Sequence, residues 1–449
     1  MPDHWCSVPI KYMALERSSL FLDGDWIESK DISSDGIRYI TTGNVGEGAY
    51  KEQGAGFISE ETFHSLRCTE VYEGDVLVSR LNNPIGRACV VPDLGGKVVT
   101  SVDNVIFRPD SKFYRKFIVY LFSSEEYFKH TSNLARGATM QRISRGLLGN
   151  IRVVTPSREE QTQIARFLDH ETAKIDALIR EQERLIELLQ EKRQAVISHA
   201  VTKGLDPDVP MKDSGVEWLG EVPAHWEMVP LKYLCSFSGG GTPSKENLEY
   251  WNGDIPWVSP KDMKSFWISN SIDKITELAV AESSTSLVEP NALLMVVRSG
   301  ILQRTIPVAV NTVEVTLNQD MKALRFSMEG FERYFAMLVQ GFEPSWLLEW
   351  RKQGATVESI EQEYLAESLI PVPPRNEIYA IVNKVAAVAK RYESLEEEAH
   401  NSSQLLRERR SALISAAVTG KIDVRNWQPP ADESAFDKEV RQAGMEATA

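Results

Sequence analysis

The sequence has few cysteines and lacks a long apolar run. Its four cysteines, Cys6, Cys68, Cys89 and Cys235, are widely separated in 449 residues and form no C-x-x-C pair. They are typical of free thiols in a reducing cytoplasm, and a structural zinc site is not expected. The longest strongly apolar run, 292–297 (ALLMVV), is far too short to cross a membrane. The N-terminal region also lacks the basic segment and apolar stretch of a secretory signal.

Motifs of the enzymes that act on DNA are missing as well. An adenine methyltransferase needs an Asn/Asp-Pro-Pro-aromatic loop to hold the flipped base. The nearest match, 83–85 (NPI), lacks the second proline and the aromatic. The run 237–241 (FSGGG) resembles a cofactor-binding glycine loop only faintly, because no strand–turn–helix context follows it. No G-x-x-x-x-G-K-[ST] occurs, so no motor activity is expected.

Nuclease and metal chemistry have equally little support. Asp93, Asp110 and Lys112 fit the pattern of two carboxylates and a lysine around Mg²⁺, but such short patterns arise by chance. The seven histidines show neither H-x-x-x-H nor H-E-x-x-H spacing. We therefore expect a chain without catalytic residues, a bound metal or a cofactor.

The charge of the chain is mainly acidic, which argues against nucleic acid as a partner. The formal net charge is −14. Residues 96–152 are an exception, with ten Lys or Arg against four Asp or Glu, and a local basic surface of this kind follows DNA phosphates. Residues 217–371 carry 12 basic and 21 acidic residues, so the second half offers no comparable patch.

What the sequence does contain is a long internal repeat. Residues 4–12 (HWCSVPIKY) return 221 positions later as 225–233 (HWEMVPLKY). Residues 137–139 (GAT) return 217 positions later as 354–356, and 189–206 return at the same offset with ten of eighteen positions identical. The similar sequences lie near the ends of the duplicated segments, and the sequence between them differs. Such a duplication predicts one scaffold that carries two different recognition regions.

A long amphipathic helix is predicted after each repeated mixed region. Residues 157–160 (SREE) have the capping-box pattern, with Ser157 placed to cap the amide near Glu160. Apolar residues then recur mostly at three- and four-residue steps or their multiples, and no proline or glycine occurs before Gly204. The stripe consists of Ile164, Leu168, Ile175, Leu178, Leu185, Leu189 and Val196, and 217 positions later of Ile381, Val385, Leu395, Leu406 and Leu413.

The two stripes are expected to bury each other in an antiparallel coiled coil. The first helix would extend over about 46 residues and roughly 70 Å. Binding of a partner helix in the seam is the alternative. If the stripes pair with each other, the outer faces of the helices are left as the surface where a partner protein docks.

The sequence therefore predicts an α+β fold in which two pseudo-repeated mixed α/β domains are separated by two long helices. Strand-like runs such as 75–80 alternate with Gly, Asn and Asp clusters in the mixed regions. The predicted boundaries are 1–155 for the first domain, 156–204 for the first helix, 205–222 for a Pro/Asp/Gly-rich linker, 223–371 for the second domain, 372–424 for the second helix and 425–449 for a polar, disordered tail.

Several segments resemble type I restriction-modification specificity subunits. Residues 200–205 (AVTKGL), 211–220 (MKDSGVEWLG) and 223–226 (PAHW) resemble the central region of these proteins. Residues 241–244 (GTPS), followed by Tyr250-Trp251 and 255–258 (IPWV), are similar to the opening of a target recognition domain. The proline and Glu-Gln at the start of the first long helix, in 156–161 (PSREEQ), are similar too. The resemblance is expected to extend over nearly the whole chain.

The resemblance implies two target recognition domains, each reading half of a bipartite DNA site. It also implies that DNA adenine methylation and restriction are carried out by separate partners, the methyltransferase subunits and the motor-endonuclease subunits. The pseudo-twofold repeat predicts two copies of the methyltransferase subunit. Half-sites read from one face of B-DNA lie about 34 Å apart, and a rigid helical spacer can fix that distance. Because the domain interiors diverge, the DNA site is expected to be asymmetric.

Candidate DNA-reading residues lie in loops of both domains. Direct readout uses Arg on guanine and Asn or Gln on adenine. Arg80 and Arg298 lie 218 positions apart, which is consistent with equivalent places on a shared fold. For each candidate, contact with a base, contact with a phosphate and a merely solvated loop position are all open. The candidates are Arg80, Asn82, Asn83, Arg87, Arg136, Thr139, Gln141, Arg142, Arg298, Gln303, Arg304 and Thr356.

Two other functions stay open at this point. One is a fused methyltransferase or nuclease with its own recognition domains, although its catalytic motifs are missing. The other is a coiled-coil scaffold that does not read DNA, and the acidic second domain favours that interpretation.

Overall fold

The computed structural model describes residues 2–53, 56–137, 139–352 and 357–429. The chain divides into two compact units. Unit 1 consists of Met1–Arg184 and His400–Ala449, and unit 2 is the intervening Leu185–Ala399. Each unit combines small sheets with helices, and two long helices are present, which confirms the predicted fold class.

Strands and helices follow one another in a similar order in the two repeats. The strands of the first repeat are β1 (Cys6–Pro9), β2 (Leu20–Asp23), β3 (Ile32–Ser33), β4 (Ile37–Ile40), β5 (Gly56–Ile58), β6 (Val76–Ser79), β7 (Ala88–Val90), β8 (Val98–Thr100), β9 (Asn104–Arg108) and β10 (Arg152–Thr155). Its helices are α1 (Glu60–Leu66), α2 (Arg115–Leu121), α3 (Glu125–Leu134), α4 (Arg145–Asn150) and the long α5 (Arg158–Lys203).

The second repeat follows α5 along the chain. Its strands are β11 (Met211–Asp213), β12 (Glu221–Pro223), β13 (Glu227–Pro230), β14 (Cys235–Gly239), β15 (Trp251–Val258), β16 (Trp267–Ile268), β17 (Asp273–Ile275), β18 (Leu293–Val296), β19 (Val308–Asn311), β20 (Thr316–Leu317), β21 (Met321–Phe326) and β22 (Leu369–Val372). Its helices are α6 (Glu277–Glu282), α7 (Phe331–Gly341), α8 (Glu343–Trp350), α9 (Gln362–Glu367) and the long α10 (Arg375–Val418). Single 3₁₀ turns occur at Ile10–Met13, Ser29–Asp31, Thr42–Asn44, Leu231–Tyr233, Leu248–Tyr250 and Gly300–Gln303.

The sheets of the two units have a matching topology. One sheet has the order β2-β9-β6-β7 in unit 1 and β14-β21-β18-β19-β16 in unit 2. The other has the order β3-β5-β4-β8 in unit 1 and β17-β15-β20 in unit 2. In this second sheet β4 runs parallel to β8, and β15 runs parallel to β20. The antiparallel pairs β1–β10 and β13–β22 join the start of each mixed region to the strand before its long helix.

A constant offset of 217 residues relates the central parts of the two repeats. The isolated backbone bridge between Leu81 and Arg142 in unit 1 corresponds to the bridge between Arg298 and Ser359 in unit 2. Strands β6 and β18 start at the same offset. The duplication seen at the sequence seams therefore extends through the sheets between them.

Each unit has its own hydrophobic core between the first sheet and the helices. In unit 1, Phe107 of β9 and Phe117 of α2 are fully buried, and in unit 2 so are Tyr334 and Phe335 of α7. Complete burial of such a side chain contributes about 2–3 kcal/mol. Apolar residues of the long helices belong to both clusters, so the helices are built into the cores of the units.

The long helices α5 and α10 extend over 46 and 44 residues. Within unit 1 they pair antiparallel. Asp176 of α5 forms an ion pair with Arg410 of α10 at 2.7 Å, and Glu183, farther along α5, pairs with the earlier residue Arg407 at 2.6 Å. These contacts confirm the predicted pairing of the helices with each other.

The buried face of α5 differs in part from the predicted stripe. Leu178 and Leu185 are 45% and 42% exposed, whereas the neighbouring Ile179 and Ile186 are buried. At each of these places two adjacent residues are apolar, so the sequence allowed either of them to face the partner helix. A strict alternation of three- and four-residue steps also drifts relative to the 3.6-residue period of the helix. The prediction of Leu178 and Leu185 as seam residues was therefore wrong.

A His-Trp pair fastens the first turn of α5 in unit 1. The indole of Trp5 donates to Glu160 Oε1 at 3.1 Å, and His4 Nε2 lies 2.8 Å from Glu160 Oε2. The amide of Glu160 donates to Ser157 Oγ at 3.3 Å, as the capping-box pattern predicted. A carboxylate in the first turn also interacts favourably with the helix dipole.

Unit 2 repeats this arrangement at the start of α10. Trp226 Nε1 donates to Glu377 Oε2 at 2.9 Å, and His225 Nε2 lies 2.7 Å from Glu377 Oε1. The repeated His-Trp sequence therefore has a structural purpose, because it ties the start of each mixed region to the first turn of the long helix that follows it.

Two absences hold for the part of the chain that the structure describes. No helix in it is long and apolar enough to cross a membrane. No group of three or more His, Cys, Asp or Glu in it is arranged to hold a metal ion. Residues 430–449 of the predicted tail and the predicted site residue Thr356 lie outside the described residues.

Candidate nucleic-acid interface

Two loops that carry predicted DNA-reading residues lie side by side in unit 1. Residues 80–87 connect β6 to β7, and residues 136–142 precede α4. A backbone bridge joins Leu81 to Arg142, and a second bridge between Arg136 and Arg142 closes the later loop on itself. The described residues of the two loops thus form one surface, which we call reading surface 1.

Arg87 lies inside this surface, where its side chain is buried. The guanidinium donates to four backbone carbonyls at 2.7–3.2 Å, those of Thr42, Val45, Leu81 and Pro84. Burial lowers the pKa of Arg87, and the nearby Glu47 carboxylate opposes that shift. Because its donors bind backbone carbonyls and its side chain is buried, Arg87 holds the loop in shape from inside.

Arg80 is also buried, with 5% of its surface exposed. Its guanidinium donates to the carbonyl of Val102 and lies 3.2 Å from Asp23 and 3.8 Å from Asp103. Burial lowers the pKa of Arg80, while the carboxylate of Asp23 acts in the opposite direction. Like Arg87, it is placed to support the loop from below.

The exposed members of reading surface 1 come from the tips of the loops. Asn83, Arg136, Thr139 and Gln141 are exposed, whereas Asn82 and Arg142 are half-buried. The amide of Asn82 donates to the carbonyl of Gln141 at 3.3 Å, so the two tips are in direct contact. These side chains, unlike those of Arg80 and Arg87, have surface that a ligand can reach.

The corresponding loops of unit 2 also meet. Residues 298–304 follow β18, and the amide of Ser299 donates to the carbonyl of Glu358 at 3.0 Å. The described residues 298–304 and 357–360 form reading surface 2. On it the predicted site residues Arg298, Gln303 and Arg304 are exposed.

The register of the repeat changes one prediction. At the offset of 217, Arg298 takes the place of Leu81, and Val297 takes the place of Arg80. The backbone confirms this, because the amides of Arg80 and Val297 donate to the carbonyls of Asp103 and Asp320, both at 2.8 Å. The match of Arg80 with Arg298 was therefore wrong by one residue, which exchanges a buried place for an exposed one.

An aspartate missed by the sequence analysis lies beside each reading surface. Arg142 Nη2 is 2.7 Å from Asp103, and Arg298 Nε is 2.6 Å from Asp320. The Asn318 amide also donates to Asp320 at 3.2 Å. Asp103 and Asp320 are identical residues 217 positions apart, so the repeat itself contained the signal that would have found them.

The basic patch of residues 96–152 is partly neutralised by the fold. Six of its ten cations form ion pairs with acidic residues, namely Lys97, Arg108, Lys116, Lys129, Arg142 and Arg145. Arg136 forms none within the described residues and stands at the exposed edge of reading surface 1. On the exposed part of reading surface 1, Arg136 is therefore a positive charge that is available to a ligand.

The side chains on these surfaces are those that recognise duplex DNA. An arginine presents paired N–H donors that fit the O6 and N7 acceptors of guanine, and Asn or Gln fits the N6/N7 edge of adenine. Arg298 uses Nε for Asp320, so its two Nη groups remain for such a contact. An arginine with no carboxylate partner, such as Arg136, is suited to a phosphate.

The residues of the possible nuclease pattern have structural partners instead. Asp110 is buried and accepts from the amides of Leu15 at 2.7 Å and Glu16 at 2.9 Å. Burial acts to raise the pKa of Asp110, but these amides and the Ser19 hydroxyl lower it overall. Asp93 accepts from the amide of Gly95 at 3.0 Å. Nothing in this arrangement favours a metal-dependent nuclease.

Comparison with protein families gives two matches along the chain. The model described as "Type I restriction modification DNA specificity domain" matches residues 21–188 and 223–400, which together are more than half of the sequence. The EcoR124I/EcoR124II type I restriction enzyme specificity subunit of Escherichia coli is 35% identical over 295 residues. That alignment covers 64% of this chain and 64% of the relative, so the chain spans just under two thirds of its length.

Solved structures of low sequence identity share the fold. One chain comes from a structural study of complex assembly and conformational transition in the type I restriction-modification system. It is 18% identical, with a TM-score of 0.67 over 94% of this chain and 99% of that one. The HsdS subunit from Thermoanaerobacter tengcongensis is 17% identical, with a TM-score of 0.55 over 94% of this chain and 98% of that one.

Proposed function

We propose, because the chain belongs to the type I restriction-modification DNA specificity family, that it selects the DNA sequence on which a type I restriction-modification complex acts. In this function the chain recognises a bipartite, asymmetric DNA site. It thereby directs adenine methylation and restriction to that site.

One observation carries this proposal. The two units share a scaffold, but the side chains on their reading surfaces differ. The sheets, the bridges between loops and the His-Trp contacts recur in both units. The side chains at the loop tips differ, since Leu81 in one unit corresponds to Arg298 in the other. One framework with two dissimilar reading surfaces is what recognition of two dissimilar half-sites requires.

Residues 1–155 and 223–371 serve in this proposal as the two target recognition domains. Asn82, Asn83, Arg136, Thr139, Gln141 and Arg142 contact the first half-site, and Arg298, Gln303, Arg304 and Thr356 contact the second. Arg80 and Arg87 act from inside the protein, because their guanidinium groups bind backbone carbonyls. Apart from Thr356, which lies outside the described residues, every residue proposed to contact DNA has a side chain that is exposed or half-buried.

The chain itself carries no catalytic group in this proposal and works in the cytoplasm. Methyl transfer belongs to modification subunits, two copies of which bind the duplicated scaffold, and cleavage belongs to ATP-dependent restriction subunits. Part of the DNA affinity comes from the modification subunits, which close around the duplex. Their contribution accounts for an acidic second domain that still reads DNA.

Selection from random duplexes tests the proposal. The chain is purified with its modification subunits, and the DNA that the complex retains is sequenced. Two short conserved blocks of different sequence, separated by a fixed number of unspecified base pairs, are expected. A scaffold without DNA reading would retain no consensus, and that result would refute the proposal.

The contribution of the partners is tested by comparing affinities. The isolated chain and the assembled complex are titrated with the selected duplex at the same salt concentration, because such affinities depend strongly on salt. The complex is expected to bind more tightly. Equal affinity would refute the shared-binding part of the proposal and leave DNA reading by the chain intact.

A further inference from the structure

A polar cleft of about 1040 Å³ opens beside Arg298 in unit 2. None of its lining was among the predicted site residues. It lies between the segment after β14, the start of β15 and the turn that joins β20 to β21. Side chains that line it include Thr242, Lys245, Trp251, Lys261, Gln319 and Asp320.

Two features of the backbone beside this cleft recur in both units. The amide of Gly241 donates to the carbonyl of Leu317 at 2.9 Å, and that of Asp25 donates to Thr100 at 2.9 Å. At Gly240, as at Gly24, a side chain would collide with the carbonyls of the facing turn. Both turns therefore lie against a glycine, which fixes their distance from the neighbouring segment.

The side chains on this shared backbone differ between the units. Gln319, at the tip of the turn in unit 2, corresponds to Val102 in unit 1 at the offset of 217. Thr242 corresponds to Trp26 at an offset of 216. Asp103 and Asp320, next in each turn, are the same residue and support the arginines of the reading surfaces. In each turn the aspartate is therefore the same in both units, whereas the residue before it differs.

Gln319 is held in a defined orientation. Its side chain is exposed, and the hydroxyl of Thr242 donates to its amide oxygen. Its amide NH₂ has no acceptor among the described residues. A carboxamide that is fixed at one atom and open at the other can meet the N6/N7 edge of adenine with little loss of side-chain freedom.

The charge around the cleft suits a nucleic-acid backbone. Lys245 and Lys261 are exposed, and neither forms an ion pair within the described part of unit 2. Of the two carboxylates that line the cleft, Asp320 is paired with Arg298, and Asp273 is the other. In a unit with an excess of acidic residues, this cleft therefore presents two lysines beside the exposed carboxamide of Gln319.

We propose that Gln319, oriented by Thr242, is a specificity-determining residue that contacts a base edge in the second half-site, while Lys245 and Lys261 contact its phosphates. The inference rests on the proposed function. It adds the turn between β20 and β21 to reading surface 2. It also makes the difference between Gln319 and Val102, at equivalent positions, one reason why the two half-sites differ in sequence.

The test measures discrimination at each half-site separately. The assembled complex is prepared with Gln319→Ala and, as a matched control, with Asn270→Ala, which removes an exposed amide outside the cleft. Each complex is titrated with the cognate duplex and with duplexes that carry one substitution in either half-site. With Gln319→Ala, discrimination at one or two positions of the second half-site should fall on the order of tenfold, and the first half-site should be unaffected.

If Gln319→Ala keeps full discrimination in the second half-site, or if both half-sites lose discrimination together, the inference is overturned. Thr242→Val, which removes only the orienting hydroxyl, should give a smaller loss at the same positions, and a loss at different positions would count against it. Failure of the unmodified complex to prefer any sequence would instead refute the proposed function.

Discussion

Asp103 and Asp320 occupy the same place in the two repeats, yet each forms its shortest ion pair with an arginine from a different loop. Arg142, in the loop before α4, binds Asp103 at 2.7 Å, and Arg298, in the loop after β18, binds Asp320 at 2.6 Å. A carboxylate that fixes an exposed arginine reduces the side-chain freedom lost when the arginine binds a base. The equivalent aspartate therefore orients an arginine of the later loop in unit 1 and an arginine of the earlier loop in unit 2.

Replacing this support should reduce specificity more than affinity. Asp320→Asn removes the charge that fixes Arg298 but keeps the shape of the side chain. We expect discrimination in the second half-site to weaken by about 1 kcal/mol, at the low end of the value of a good base contact, while total DNA affinity stays equal or rises because a negative charge is lost. Competition binding of the assembled complex measures both. Asp103→Asn is the matched variant, and it should act on the first half-site instead.

Arg87 should be essential for stability although it lies on a reading loop. Arg87→Leu leaves one buried and three part-buried carbonyls without their donor, and we expect it to destabilise unit 1 by about 3 kcal/mol. Thermal unfolding followed by circular dichroism measures the effect. Arg304→Leu, which changes an exposed arginine on reading surface 2, should leave the unfolding temperature nearly unchanged. Equal stability of the two variants would contradict the structural assignment of Arg87.

The His-Trp contact should stabilise each long helix at its first turn. Glu160→Ala removes the acceptor of Trp5 and the partner of His4, and we expect a loss of about 1–2 kcal/mol in the free energy of unfolding. Urea unfolding followed by tryptophan fluorescence measures it. Glu377→Ala tests the same contact in unit 2, whereas Glu159→Ala removes a neighbouring first-turn acid that has neither partner. A result in which all three variants behave alike would argue for a general dipole effect.

Arg136 should contribute affinity without sequence preference. Loss of one phosphate contact lowers the slope of log K against log salt by about 0.9. Arg136→Gln is therefore expected to weaken binding of cognate and unrelated duplexes by a similar factor and to reduce the salt dependence by that amount. Arg298→Gln should act mainly on the cognate duplex. If Arg136→Gln changes the preferred sequence instead, the residue contacts a base.

Exposed leucines on the paired helices should bind the modification subunits. In unit 1, Leu178 of α5 and Leu405 of α10 are 45% and 64% exposed. Leu178→Asp and Leu405→Asp should weaken association with the modification subunit by at least tenfold, because each places a charge in an apolar contact, and should leave the fold intact. Co-purification and analytical ultracentrifugation measure association. Leu15→Asp, which changes an exposed leucine on a loop, is the matched control.

The parts of the fold that depend on local pattern could be predicted from the sequence. The long helices follow from an apolar period and the absence of proline and glycine, and the cap at Ser157 follows from a short motif. The repeat was visible because its seams keep their sequence. Each of these signals can be seen in the order of the residues, without knowing which distant residues meet in the fold.

The features that depend on contacts between distant residues could not be predicted in the same way. Whether Leu178 or Ile179 faces the partner helix depends on the packing of α10. The burial of Arg80 is likewise decided by strands far away in sequence, because Asp23 and Val102 come from other elements. From the sequence alone, a loop arginine such as Arg80 is predicted to contact DNA, although in the fold its buried side chain supports the loop from inside.

The measurement that tests the central claim most directly is adenine methylation across the genome, determined by single-molecule sequencing with and without this gene. Deletion should abolish methylation at one asymmetric, interrupted motif, and the unmodified gene should restore it. Restoration with Asp320→Asn should relax only the second block of that motif. A methylome that is unchanged by deletion would contradict the conclusion that this chain directs DNA modification.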